Sequence, residues 1–219
     1  MVKPYKGLTL VEEHVLQLTR IGLYGRWEDD DILHGPIDWE AILRQAARLK
    51  IVAVVYDGIV VAEQHQKISA DCAMQEETQL KFVGYQLMYQ QRYQQYMRFL
   101  TQLIGFYSSI HIPVMILKGA GLSQLWQNPS SRPTGDIDVY LYGHQEEADR
   151  CVYERTGTEI QYYPVGHHTV FHRSGETVEN HFSFLSVPVI SKKMRRLESD
   201  MQSLTTNYNI IVLLFTIYT

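Results

Sequence analysis

Apolar positions through residues 1–110 recur every three or four residues, the period of helices with one buried stripe. Leu10, Val15, Leu16 and Leu18 begin the first, and Gly25 is placed to stop it. Asp38 is positioned to cap a second helix, in which Trp39, Ile42, Leu43, Ala46 and Leu49 keep the helical interval. Residues 51–61 are apolar and β-branched, which suits either a strand or a buried helix; the flanking helices favour a helix. Asp71 is a candidate start for a long helix reaching about Tyr107, with Leu80, Val83, Leu87, Met97, Leu100 and Ile104 on its buried side. The Tyr/Gln-rich centre of that helix, Tyr85 to Tyr96, reads as a core and interface stripe rather than a base-stacking surface.

The pattern changes at Pro113. Residues 114–117 form a short continuous apolar run, as in a strand buried on both faces. A short helix is predicted from Gly119 to Trp126. A second strand is predicted from Asp136 to Leu141, with Asp136, Asp138 and Tyr140 on one face and Ile137, Val139 and Leu141 on the other. Glu146 to Arg155 is helical in pattern, stopped by Gly157, and Glu159 to Tyr163 suits another strand. His168–Arg173 and Thr177–Leu185 read as a hairpin turning at Ser174-Gly175. Lys192 to Leu204 has the pattern of a charged helix. The expected organisation is α+β: a helical region over 1–110, packed on a mixed β-sheet core with flanking helices over 111–219.

Composition narrows the partners. The 219 residues suit one large domain or two small ones, and 45% hydrophobic with 20% charged content is ordinary for a globular chain. A net charge of −4 and a pI near 6.1 give sequence-independent nucleic-acid binding no electrostatic support. The one local basic group, Lys192, Lys193, Arg195 and Arg196, reads as a solvated helix face. Two cysteines, Cys72 and Cys151, are too few and scattered for a disulfide framework or zinc knuckle. With no signal-peptide core or bilayer-length apolar segment, the expected setting is the cytoplasm, without membrane. The chain stops at Thr219 directly after an apolar run, residues 210–218, which reads either as a core shortened at the C-terminus or as a terminal helix packed on the rest.

The chemistry concentrates between Leu117 and Leu141. Asp136 and Asp138, at i and i+2 of one strand, would share a face about 6.5–7 Å apart. Like charges held that close repel unless a cation lies between them, and a divalent metal is the usual one. Gly119, Ala120 and Gly121 sit where a strand turns into a helix, a place suited to phosphate because free N–H groups and close backbone approach are available there. Lys118 and Arg132 are candidate phosphate neutralisers. His167, His168, His172 and His181 make a histidine-rich hairpin whose spacing fits no standard zinc pattern. His168 and His181 are instead candidates for an acceptor pocket.

Three stretches together carry a resemblance: Leu117-Lys118-Gly119, the run Arg132-Pro-Thr-Gly-Asp-Ile-Asp138, and Val178-Glu179-Asn-His181. They resemble the uncharacterised bacterial nucleotidyltransferase family of the DNA polymerase β-like superfamily, and the likeness extends over about residues 10 to 185. The resemblance implies a nucleotidyltransferase-type sheet and makes Glu179 the third carboxylate beside Asp136 and Asp138. Mg²⁺ or Mn²⁺ is the implied cofactor, an NTP (ATP foremost) the implied donor, and a small-molecule or protein hydroxyl the acceptor. Ala120 stands where the superfamily carries serine or glycine, so either Ser123 supplies the hydroxyl or that contact is absent. The alternative reading is a catalytically inactive nucleotide- or partner-binding module on the same fold. A metal-dependent phosphohydrolase using the same carboxylates is a third.

Overall fold

The computed structural model describes residues 7–26, 33, 36–163, 166–185 and 192–207. The apolar run at 210–218 lies outside them. Two compact units divide the chain: Met1–Gln94 with Ser123–Pro133, and Gln95–Leu122 with Thr134–Thr219.

The first unit is helical. Helix α1 (Leu10–Tyr24) starts at Thr9, whose hydroxyl and backbone exchange hydrogen bonds with Glu12, and ends at Gly25 in the left-handed conformation, φ 64°. Helix α2 (Trp39–Arg48) is capped by Asp38, which accepts from the Ala41 amide at 2.9 Å. The ambiguous apolar run is helix α3 (Val52–Gln64). Val15, Leu18, Trp39, Ile42, Val55, Ile59 and Phe82 form the core of this unit. Leu49, expected to share the buried stripe of α2, instead follows its last turn and is exposed.

Helices α1 and α3 approach closely because glycine faces backbone at both crossing points. A Cβ on Gly22 would collide with the Val54 carbonyl, and one on Gly58 with the Leu18 carbonyl. Alanine in a helix interior is intrinsically favoured over glycine by about 1 kcal/mol, so a net loss reports the clash. Gly58→Ala is expected to destabilise the fold by about 3 kcal/mol, read as a lower urea midpoint at unchanged m-value.

The long helix α4 (Glu76–Ser109) begins later than expected, after a 3₁₀ turn at Ala70–Cys72. Its buried side also differs. Leu80 and Leu87 are exposed, Val83 is half-buried, and Phe82 and Gln86 face inward. Further along, Tyr96, Leu100, Leu103 and Tyr107 are buried. The tyrosine stripe accordingly divides between fully buried rings, Tyr96 and Tyr107, and half-buried ones, Tyr85, Tyr89 and Tyr93.

The second unit holds a five-stranded mixed sheet ordered β1-β2-β5-β4-β3, with β1 Met115–Ile116, β2 Ile137–Tyr140, β3 Gln161–Tyr162, β4 His168–Arg173 and β5 Glu176–His181. Only β2 and β5 pair in parallel; the other neighbours are antiparallel. Strand β1, expected to be covered on both faces, is a two-residue edge strand, half-buried at both positions. The strand expected from Asp136 starts at Ile137. The helix expected over Gly119–Trp126 is a single turn, α5 (Ala120–Ser123). The hairpin turns at Ser174 (φ 52°) and Gly175 (φ 80°), a pair of left-handed residues that matches the twist of the flanking strands. Helix α6 (Gln145–Thr156) ends at Gly157, and α7 (Lys192–Asn207) carries its basic side chains exposed. Ile137, Val139, Val178 and Phe171 supply the sheet's core face, packed with Leu100, Leu103, Ala148 and Val152.

Candidate active site

Strand pairing assembles the site. The parallel register sets Asp138 directly opposite Glu179 and Tyr140 opposite His181, while the antiparallel register sets His168 opposite His181. Side chains alternate along a strand, so Asp138, Glu179, His181 and His168 share the sheet face away from the apolar core. The intervening Asn180 points the other way. There it donates to Asp149 Oδ1 at 2.7 Å and accepts from the Tyr107 hydroxyl at 2.8 Å. Asp149, fully buried, also accepts from Thr169 at 2.7 Å and from Gln145. This polar network beneath the sheet holds β5 so that Glu179 and His181 present themselves together.

On the site face the contacts are close. Asp138 is 4% exposed. Its Oδ1 meets the Lys118 ammonium at 2.7 Å and His181 Nε2 at 3.1 Å. Glu179 Oε2 lies 3.3 Å from His181 Nε2, and Oε1 lies 3.8 Å from His168 Nε2. One ligand atom each from Asp138, Glu179 and His181 fall within 4.8 Å of one another.

The two carboxylates titrate apart. Burial pushes Asp138 up, but hydrogen bonds with His181, Lys118 and Glu179, together with the lysine charge, outweigh it and hold the group well below the usual carboxylate range. Burial raises Glu179, and the hydrogen bond and charge of Asp138 raise it further. Opposite shifts of this kind are what two carboxyls held side by side produce when no cation lies between them. Such a donor set fits a hard divalent ion, which prefers carboxylate oxygen. Lys118 is raised first by its bond to Asp138. Burial lowers His167 and His168, and the neighbouring His181 lowers them further.

The remaining candidates fall into two groups. Asp136 precedes β2, is exposed, and belongs to neither ligand cluster found among the described residues. Gly119 adopts φ 57°, and a side chain there would collide with the Tyr96 hydroxyl, so only glycine satisfies both constraints. Gly121 has ordinary room, and its amide bonds the Lys118 carbonyl at 3.1 Å. Ala120 is buried. Ser123 and Arg132 belong to the first unit. Ser123 is 2% exposed with its hydroxyl 3.3 Å from that of Tyr93, and Arg132 donates to the Pro133 carbonyl at 3.3 Å. Sequence reasoning gave no role to His167, Asp149 or Tyr107. The sequence signal for the buried network was Asn180 itself, a polar residue alternating with Glu179 and His181 on a strand.

An α+β chain whose mixed sheet sets two carboxylates side by side, next to a lysine and a glycine turn, has the nucleotidyltransferase-type fold. The chain belongs to the uncharacterised nucleotidyltransferase family, whose family model matches residues 35–212. No curated protein and no solved structure matches it. None of the described helices is long and apolar enough to cross a membrane.

Proposed function

We propose that the protein is a Mg²⁺-dependent nucleotidyltransferase that moves an NMP from an NTP, ATP foremost, to an acceptor hydroxyl. The observation that carries this reading is the register pairing that sets Asp138 opposite Glu179, with the Lys118 ammonium on Asp138. Asp138 and Glu179 would hold the ion, and Asp136, exposed just before β2, would add only its charge. The ion supplies charge neutralisation on the triphosphate and a template for in-line attack.

This chain's residues do the rest. The acceptor oxygen bonds to the α-phosphorus as the bond to the bridging oxygen breaks, and pyrophosphate leaves with that electron pair. Glu179, raised by burial and by Asp138, suits the general base that takes the acceptor's proton. Lys118, paired with Asp138 and still largely solvent-facing, is free to swing onto a phosphate. The backbone of Gly119, Ala120 and Gly121 lies beside that lysine for close approach of the triphosphate. His168 and His181 border the acceptor side. A cytoplasmic setting suits a donor of this kind.

The second reading, a nucleotide-binding module without turnover, draws on Ala120, which has no hydroxyl, and on Ser123, whose hydroxyl is engaged by Tyr93. Incubation with Mg²⁺ and labelled NTP over a panel of small molecules and proteins separates the two. Label transfer with pyrophosphate release is the expected result. Nucleotide binding that ignores Mg²⁺, with no transfer to any acceptor, would favour the module.

A further inference from the structure

The geometry points to a second metal position, distinct in chemistry from the carboxylate one: His167, His168 and His181 form a site for a nitrogen-preferring divalent transition ion, Zn²⁺ foremost. Residues remote in sequence meet here because β4 pairs with β5. His168 is the register partner of His181, and the Phe182 amide donates to the His167 carbonyl at 3.1 Å, which ties the start of β4 to the end of β5. The rings lie 4.6 Å (His167–His168), 4.9 Å (His167–His181) and 4.9 Å (His168–His181) apart between centroids. One ring nitrogen from each falls within 4.8 Å of the others.

Two of the three rings carry a nitrogen that asks for a partner. His181 Nε2 lies 3.1 Å from Asp138 Oδ1, so Nδ1 is the other nitrogen of a ring only 2% exposed. That Nδ1 is buried without a hydrogen bond, and so is Nδ1 of His168. A carboxylate on one nitrogen and a free lone pair on the other is the arrangement that orients a metal-binding imidazole. Metal–nitrogen bonds of about 2.0–2.1 Å put tetrahedral ligand nitrogens about 3.4 Å apart. Side-chain torsions therefore have on the order of an ångström to close. Water or Glu179 would complete the shell. Imidazole suits Zn²⁺, Co²⁺, Ni²⁺ and Cu²⁺, whereas Mg²⁺ prefers oxygen, so the two positions select different ions. The inference stands on the histidine geometry and does not require NMP transfer.

Co²⁺ is the probe. The chelator-stripped full chain is titrated with Co²⁺ in excess Mg²⁺ and followed by visible d–d absorption. One equivalent is expected to bind with the intense bands of a low-coordinate nitrogen site, and Mg²⁺ should not displace it. His167→Ala with His168→Ala is expected to weaken binding on the order of 100-fold or more. His172→Ala, whose ring faces Thr177 instead, should leave it unchanged. If the double variant does not fold, as judged by circular dichroism, His167→Ala alone serves, because that residue precedes the strand ladder and is half-buried. Wild-type protein without the bands, displacement by Mg²⁺, or undiminished binding in the histidine variants would each overturn the site. The readout is the metal's spectrum rather than turnover, so its failure is distinguishable from failure of the transfer reaction.

Discussion

Asp138→Asn is expected to lower NMP transfer by about 10³-fold or more while the protein remains folded. The substitution keeps the shape of the side chain and an oxygen able to accept from Lys118 or His181, but removes the charge. A metal ion supplies several kcal/mol of charge stabilisation in the transition state, and each 1.4 kcal/mol is tenfold in rate. Asp138 is the buried hub of the site, touching Lys118 and His181 and facing Glu179 across the β2–β5 pair. Glu179→Gln should cost a comparable factor, since it removes both an ion ligand and the proposed base. Asp136→Asn should cost much less, because Asp136 is exposed and outside the carboxylate cluster. Single-turnover rates with labelled NTP, alongside thermal melts of each variant, make the comparison. Equal losses for Asp136 and Asp138 would mean that the aspartates act as a symmetric pair and that the geometry ranks them wrongly.

That ranking illustrates what the chain's local patterns convey. Helix ends and turns are written in adjacent residues, so the Gly25 stop, the Asp38 cap and the Ser174-Gly175 turn are all legible in the sequence. The buried side of α4 is not. A single stripe drawn through Leu80, Val83, Leu87 and Leu100 assumes one partner surface, yet the helix contributes to two units, burying Phe82 in one core and Tyr96, Leu100 and Tyr107 in the other. The i, i+2 logic for Asp136 and Asp138 assumes a strand that includes both; the strand begins at Ile137, leaving Asp136 in water. Glu179 is visible in the sequence only through the family pattern, because parallel pairing has no local period. The histidines are gathered by the antiparallel hairpin that the sequence does convey; what its spacing does not convey is the register that sets His168 opposite His181.

Asp149→Ala is expected to destabilise the protein by about 3–5 kcal/mol, the largest loss among single substitutions away from the site face. It would leave Asn180 Nδ2 and the Thr169 hydroxyl without their acceptor in a dry interior, and each such orphaned group costs about 1–3 kcal/mol. At about 2–4 °C per kcal/mol for a chain of this size, the melting temperature should fall by roughly 10 °C. Tyr107→Phe, which removes only the donor to Asn180 Oδ1, should cost about 1–2 kcal/mol. If the network acts as a unit, Asp149→Leu combined with Asn180→Leu will cost less than the sum of the two single changes. The carboxyl also leaves a pH signature. Burial raises Asp149, and the hydrogen bonds from Asn180, Thr169 and Gln145 only partly offset that. A raised folded value means that the folded state holds the proton more tightly. Its stabilising contribution is therefore complete below the unfolded carboxyl value of about 3.9 and is lost as pH rises through the folded one. Asp149→Asn should flatten this decline in unfolding free energy across the acidic range, at the cost of setting an amide donor against Asn180 or Thr169. A wild-type profile that rises through that window with the same slope as the variant would show that the buried carboxyl is not what sets it.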